Sequence, residues 1–282
     1  LELRGLSIWR VILKSEVHIR SIEVDEPVLD YTIGERRIHL QEPFQRLAKP
    51  GTKGAPLFKV DRIIVRDAQA TMQDLSGHLP VLRASRLNVA VNDLRVSPLQ
   101  GSHRSDLDVG SLDLAMDSLS TDLPGGYRLR SGSIHLSDQE GKGHVHHVTL
   151  QPNAQFDDKV RSTALNISLD SLVLHGPDIA ALIGEKTLHV RELVVHGMDL
   201  RATLDKNLPQ GPLGPTRLPH LAFLELPFTI LVDTVRLQDG SISYRERSDL
   251  TGLWGEIRFA ALQGAFSGLR NVEVIANQGS VI

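Results

Sequence analysis

Histidines and aspartates are the side chains of this sequence best suited to chemistry. The segment GHVHH (143–147) places His144 and His146 on one face of a strand, as two metal ligands could be placed. The chain has no cysteine, and no nearby carboxylate has obvious ligand spacing, so a solvated strand edge explains the cluster better. We therefore predict no metal site and no cofactor.

Four aspartates recur at matching positions of two similar stretches. They are Asp61, Asp67, Asp233 and Asp239. A glycosidase needs two carboxylates facing each other across a cleft. These aspartates instead lie beside strand starts and turns, where Asp tolerates the backbone and bonds to it. His18 and His189 recur between apolar residues, and we interpret them as lying on the solvent-exposed face of a strand. The sequence also lacks P-loop, GxGxxG, HExxH and GxSxG motifs, so we predict no catalytic residue and no enzyme.

The composition indicates a folded chain. Of 282 residues, 41% are hydrophobic, so disorder is not expected, and 4% are aromatic, so aliphatic side chains build the apolar surface. A net charge of −3 argues against nucleic acid as a partner. No stretch reaches the roughly 18 apolar residues of a spanning helix. Both ends fall inside alternating patterns, so we expect 1–282 to be one continuous segment of a longer protein.

Alternation of apolar and polar residues predicts a mainly β protein of about eighteen strands. Clear examples are VHIRSIEV (17–24), FKVDRIIV (58–65) and LHVRELVV (188–195). Short helices are predicted near 7–14 and near 178–184, where Asp178 could cap the start and Gly184 the end.

The alternation slips by one residue in the middle of many strands. Phe58 and Val60, for example, are followed by Ile63 and Val65. In a flat strand such a slip would send half of the apolar side chains into water, whereas a bulge or bend returns them to one side. The slips therefore predict an elongated, curved antiparallel sheet that forms a trough.

The sequence repeats itself in order. Residues 1–30 align without gaps with 172–201, with nine identical pairs, and 60–70 and 82–95 align with 232–242 and 257–270. A repeat with its order kept suggests a stacked array. We predict an internal repeat formed by 1–100 and 172–275, joined by connecting strands in 101–171.

Several stretches together resemble a known family. They are HIRSIEVDEPVLDY (18–31), YRLRSGSIHLSD with HHVTLQPN (127–153), RATLDKNLP (201–209), LPFTILVDTVRLQDGSISYRERS (226–248) and GEIRFAALQGAFSGL (255–269). The chain resembles AsmA-like envelope proteins of Bacteroidetes-type bacteria, which are related in architecture to TamB and to eukaryotic bridge-like lipid-transfer proteins.

The resemblance implies a repeating β-groove rod in the periplasm. It also implies attachment to the inner membrane through an anchor outside this segment, phospholipid acyl chains as ligands, and a role in outer-membrane biogenesis or homeostasis. Other envelope proteins are further expected partners.

The groove lining is predicted to consist of the alternating aliphatic residues. They are Val17, Ile19, Ile22, Val24, Phe58, Val60, Ile63, Val65, Leu188, Val190, Leu193, Val195, Ile230, Val232, Val235 and Leu237. The expected function is a non-enzymatic lipid-transfer or lipid-scaffold segment. Two alternatives stay open: a structural or adhesive β-rich envelope protein whose same residues fill a dry sandwich core, and a polysaccharide-acting enzyme on a β-solenoid.

Overall fold

The computed structural model describes residues 2–4, 16–33, 57–74, 81–98, 105–123, 125–179, 181–182, 187–210 and 229–271. These residues form one large mixed sheet, so the prediction of a mainly β protein is confirmed. Its strands are β1 Glu2–Arg4, β2 Glu16–Asp25, β3 Val28–Ile33, β4 Leu57–Asp74, β5 Leu82–Pro98, β6 Ser105–Asp108, β7 Ser111–Met116, β8 Ser118–Leu123, β9 Tyr127–Ser131, β10 Ile134–Ser137, β11 Lys142–Pro152, β12 Thr163–Asp178, β13 Thr187–His196, β14 Asp199–Asp205, β15 Thr229–Arg247 and β16 Trp254–Arg270.

The sheet consists of two half-sheets that share their long strands. Half-sheet A has the order β1-β2-β4-β5-β7-β10-β11-β12-β13-β15-β16. Half-sheet B has the order β3-β4-β5-β8-β9-β11-β12-β14-β15-β16. The strands β4, β5, β11, β12, β15 and β16 run through both halves, and the consecutive pairs β2/β3, β7/β8, β9/β10 and β13/β14 do so with a short break.

Four ladders are parallel, so the prediction of an antiparallel sheet is wrong for them. They join β2 and β3 to β4, and β13 and β14 to β15. Parallel neighbours need a connection of a dozen or more residues, and the chain has such lengths at 34–56 and 206–228. An alternating pattern records which face a side chain takes and not the direction of the strand.

The two predicted helices are not elements of the described structure. The stretch 7–14 and Gly184 lie outside the described residues. In 178–184, only Ile179, Ala181 and Leu182 are described as helical. The amide of Ala181 donates to Asp178 Oδ1 at 2.9 Å, which is the geometry of an N-cap.

The slips in the apolar pattern correspond to two kinds of irregularity in the strands. The first is a register shift in β4–β5 around Ala68 and in β15–β16 around Gly240, beside Asp67 (φ 52°) and Asp239 (φ 54°). An extra residue at a bulge returns later side chains to the original face. The slip from Leu237 to Ile242 falls at this point.

The second irregularity is a gap in pairing with no change of register. The β2–β4 ladder passes from Ile19↔Val60 to Ser21↔Arg62, and the β4–β5 ladder has its gap opposite Asp93, where φ is 54°. The slip from Val60 to Ile63 falls here. Both irregularities thus lie where the sequence changes phase.

The strands β2–β5 (copy one) and β13–β16 (copy two) have the same pairing pattern. In each, the first two strands pair in parallel with the third, and the third pairs antiparallel with the fourth. Positive-φ residues occupy matching positions, which are Glu26 and Gly197, Asp67 and Asp239, Arg86 and Ala261, and Asp93 and Gly268. The offsets are 171, 172 and, in the fourth strand, 175.

Candidate functional site

A row of paired apolar residues (row A) crosses half-sheet A. Each member is the pairing partner of the next on the neighbouring strand. From β2 to β16 they are Val24, Val65, Val89, Leu114, Leu136, Gly143, Leu174, Leu193, Val235 and Phe266. Only Gly143 lacks a side chain, and a Cβ there would lie 2.4 Å from Leu136 Cδ2, so its neighbour already fills the space.

A second row (row B) crosses half-sheet B in the same way. From β3 to β16 its members are Tyr31, Met72, Leu82, Thr121, Leu129, Leu150, Ile167, Leu200, Ile242 and Phe259. Thr121 is the single polar member. Each row therefore runs across ten strands with nearly unbroken apolar chemistry.

Both rows share one face of the sheet, here called the apolar face. The bulges between Val65 and Ala70 and between Leu237 and Ile242 provide the extra residue that keeps the two halves in phase, and in the β11–β12 ladder the change of phase falls at the pairing gap at His147, where φ is 53°. The neighbouring row in half-sheet B points the other way. It consists of Asp30, Thr71, Arg83, Ser120, Arg130, Thr149, Ser168, Asp199 and Ser241. In half-sheet B, one face is therefore apolar and the other hydrophilic.

The predicted lining residues all lie in half-sheet A, where thirteen of the sixteen fall into two clusters. One cluster surrounds Ile19, Val60 and Leu94, and the other surrounds Val190 and Val232. Of the remaining three, Val24 and Val65 belong to row A, and Leu237 pairs with Val195. The sequence interpretation missed row B. Its signal was the alternation in short stretches such as YRLRS (127–131) and DLRATLD (199–205).

Most side chains of the apolar face are only partly buried. Val190 is 2% exposed and Val60 3%, whereas Phe259 is 57% exposed and Phe266 55%. Each cluster is assembled from laterally adjacent strands, and among the described strands every pair in extensive contact is a hydrogen-bonded neighbour pair. A shallow open depression is lined by Val65, Val89 and Leu114 of row A together with polar residues that include Arg66 and Asp113.

Equivalent His–Asp pairs join the first and third strands of each copy. His18 Nε2 lies 2.7 Å from Asp61 Oδ1, and His189 Nε2 lies 2.9 Å from Asp233 Oδ1. The hydrogen bond from His18, helped by Lys59 at 3.2 Å, holds the pKa of the Asp61 carboxyl below its usual value. Asp61 and Asp233 lie at the pairing gaps, so pairing with a histidine on another strand explains their recurrence better than turn chemistry does.

The histidine cluster shows no coordination geometry. The rings of His144 and His146 are nearly parallel, with centroids 6.4 Å apart. Within the described ranges, no group of three or more His, Asp or Glu side chains could hold a metal ion. The best-supported functional feature of the described structure is therefore the apolar face.

Comparisons with family models, with curated proteins and with solved structures find no match. Of the residues described, none belongs to a helix long and apolar enough to span a membrane.

Proposed function

We propose that this chain is a non-enzymatic lipid-transfer or lipid-scaffold segment whose apolar face, shaped as a groove, holds phospholipid acyl chains. The observation that carries this proposal is the continuity of rows A and B across ten strands each, on a face that laterally packed strands leave partly exposed. We further propose, as the resemblance to AsmA-like envelope proteins implies, that the chain acts in the periplasm and that an anchor outside this segment attaches it to the inner membrane.

The energetics favour such a surface for moving lipids. Burial of each CH₂ contributes about 0.8 kcal/mol, so a long acyl chain in water costs more than about 10 kcal/mol. A continuous aliphatic face lowers this cost at every point along it. The head group stays in water at the rim. Neither burial of the acyl chain nor hydration of the head group requires an enclosed pocket.

Each row is long enough to hold a lipid acyl chain at more than one position. Ten strands at about 4.8 Å spacing give a row of roughly 45 Å. A bilayer core is about 30 Å thick, so one acyl chain extends over roughly 15 Å. An acyl chain held away from the ends of a row therefore meets further apolar surface in both directions along it, which supports sliding.

A charge placed in row B tests the proposal. Ile242 lies between Leu200 and Phe259, and the next residue, Ser243, lies between Arg201 and Arg258. We expect the wild-type protein to co-purify with phospholipid by mass spectrometry and to take up a fluorescent phospholipid from vesicles. Ile242→Asp should reduce both severalfold, because a carboxylate would stand in the path of the acyl chains.

Ser243→Asp is the matched control. Its carboxylate would face two arginines on the hydrophilic face, so lipid uptake should stay at the wild-type level while circular dichroism confirms that both variants fold. Absence of phospholipid and of uptake in the wild-type protein would refute the proposal and leave the two alternatives, a structural or adhesive role and a polysaccharide-acting enzyme.

A further inference from the structure

Two buried hydroxyl groups have no hydrogen-bond partner within the part of the chain that the structure describes. They are Thr121 Oγ1 on β8 and Ser131 Oγ on β9. A third buried atom without a partner there, Arg161 Nε, belongs to a guanidinium that already donates to the Lys206 carbonyl. An unpaired buried hydroxyl costs free energy in the folded protein, so its retention calls for an explanation.

Both hydroxyl-bearing residues lie on the apolar face of half-sheet B. Thr121 is the polar member of row B and pairs with Leu129, which belongs to the same row. Ser131 pairs with Leu119, and each of these two lies two residues from a member of row B, so all four share one face. Thr121 and Ser131 are therefore diagonal neighbours on adjacent strands, at a separation of roughly 7 Å. Thr121 is only 7% exposed.

The surroundings of the two hydroxyls suit a neutral hydrogen-bond acceptor. In the described ladders no charged residue pairs with Thr121 or Ser131, and Arg128 and Arg130 alternate with Leu129 and so lie on the hydrophilic face. A carboxylate bound here would lose its hydration with no cation beside it, which is costly. Leu82 and Leu129, which flank Thr121, are only partly buried, so their side chains can turn aside for a ligand.

The position of Thr121 along its strand matches one part of a phospholipid. β8 ends at Leu123, two residues further on, so Thr121 lies roughly 7 Å from the end of the strand at about 3.3 Å per residue. The strand ends would form the rim of the proposed groove. The two ester carbonyls of a glycerophospholipid lie between its head group and its acyl chains. A head group held in water at the rim would therefore bring those carbonyls close to the two hydroxyls.

We propose that Thr121 and Ser131 form a polar subsite of the groove, whose hydroxyls donate hydrogen bonds to the acyl-ester carbonyl oxygens of a glycerophospholipid. This inference rests on the proposed function, because it assigns one part of the bound lipid to one place on the apolar face. A carbonyl oxygen is a good acceptor, whereas the ether oxygen of a dialkyl phospholipid is a weak one. The subsite therefore selects ester-linked over ether-linked phospholipids.

Two lipids that differ only in their linkage test the subsite. Vesicles are prepared with equal amounts of diester and diether phosphatidylethanolamine of the same chain length. The protein is incubated with these vesicles and repurified, and mass spectrometry measures the ratio of the two lipids bound. We expect the wild-type protein to bind the diester lipid about fivefold in excess, the factor typical of one neutral hydrogen bond.

Variants of the two residues assign the preference to the subsite. Thr121→Val combined with Ser131→Ala should return the bound ratio to that of the vesicles, with diether binding undiminished. Thr121→Ser keeps the hydroxyl and should keep the preference. The matched control is Ser120→Ala, which removes a hydroxyl from the hydrophilic face between Arg83 and Arg130 and should leave the ratio unchanged. Circular dichroism would verify that each variant folds.

The stability of the lipid-free protein gives a second measurement. Thr121→Val preserves the shape of the side chain and removes an unpaired polar atom, so the urea midpoint should rise. A lower midpoint would show that the hydroxyl is bonded within the protein, and it would overturn the proposal.

The lipid measurements separate failure of the subsite from failure of the proposed function. Equal binding of both lipids by the wild-type protein would overturn the subsite and leave the proposed function intact. A diester preference that survives in the double variant of Thr121 and Ser131 would also overturn it, because the preference would then arise elsewhere on the chain. Binding of neither lipid would refute the proposed function and the subsite together.

Discussion

Copies one and two have the same backbone but different surroundings. The strand β14 is covered on its outer side by β12, whereas its counterpart β3 pairs only with β4 among the described strands and exposes Val28 (69%) and Leu29 (45%). Conversely, β5 is covered by β7 and β8, whereas β16 pairs with β15 alone within the part of the chain that the structure describes. Among the described strands, each copy thus has a paired neighbour at the edge where the other copy has none. The bends and bulges belong to the unit itself, because they persist when its neighbours change.

The largest expected effect tests whether the two copies have equivalent cores. Val60 and Val232 occupy matching positions and are 3% and 4% exposed. We expect Val60→Ala and Val232→Ala each to cost about 2 kcal/mol, from lost burial plus a cavity. Urea unfolding followed by circular dichroism would measure both. Costs that differ by more than about 1 kcal/mol would show that the surroundings of the cores outweigh their common packing.

A smaller effect tests the bulges. Asp67 and Asp239 have φ of 52° and 54°, a region that a β-branched residue adopts only with strain. We expect Asp67→Val and Asp239→Val each to lower the free energy of unfolding by about 1–2 kcal/mol. The controls Asp67→Gly and Asp239→Gly should lose little or nothing, because Gly accepts this backbone. Equal losses for Val and Gly would point to the carboxylate instead of the backbone.

The stabilising contribution of the Asp61 carboxylate should be lost in acid. The pKa of Asp61 is lowered in the folded protein, so its contribution to stability is present above the unfolded value of about 3.9 and is lost as pH falls through the folded value. Asp61→Asn should therefore lower the urea midpoint at about pH 6, with a difference that shrinks in more acidic solution.

Copy two gives the comparison for that experiment. Asp233→Asn should cost less near neutral pH, because Leu231 stands where copy one has Lys59. A wild-type-like midpoint for Asp61→Asn at about pH 6 would show that the pair contributes nothing.

The smallest effect concerns a surface ion pair that only copy one has. Arg66 contacts Asp25 at 2.9 Å and Glu23 at 3.0 Å, and copy two has Gln238 at the equivalent position. Arg66→Gln should lower the free energy of unfolding by less than about 1 kcal/mol, because exposed ion pairs contribute little. The loss should diminish in high salt. A loss that is independent of salt would assign the effect to packing of the Arg66 stem.

The alternating pattern was enough to predict the strands and the positions where they change phase. The apolar alternation changes phase between Val232 and Val235, at the pairing gap. It changes phase again between Leu237 and Ile242, at the bulge. The matched stretches 82–95 and 257–270 also share the pairing register found in the sheet.

Strand direction and long-range polar pairing could not be predicted. The parallel ladders depend on connections whose course is not encoded in local periodicity. His18 and Asp61 are 43 positions apart, and each one separately has the pattern of a solvated residue. Row B was missed where it crosses short strands, such as the five residues of β9, because a short strand offers few positions over which an alternation can be recognised. On the long strands it was missed because its members lie beyond the bulge or pairing gap, out of phase with the residues of row A.

The parallel ladders have a consequence for the order of folding. Val17 pairs with Phe58 and Leu188 with Ile230, separations of 41 and 42 positions, whereas β4 and β5, like β15 and β16, are adjacent along the chain. Closing a long loop costs more entropy than closing a short one. The two hairpins should consequently assemble early, and β2 and β13 should join them late, at the slow step of folding.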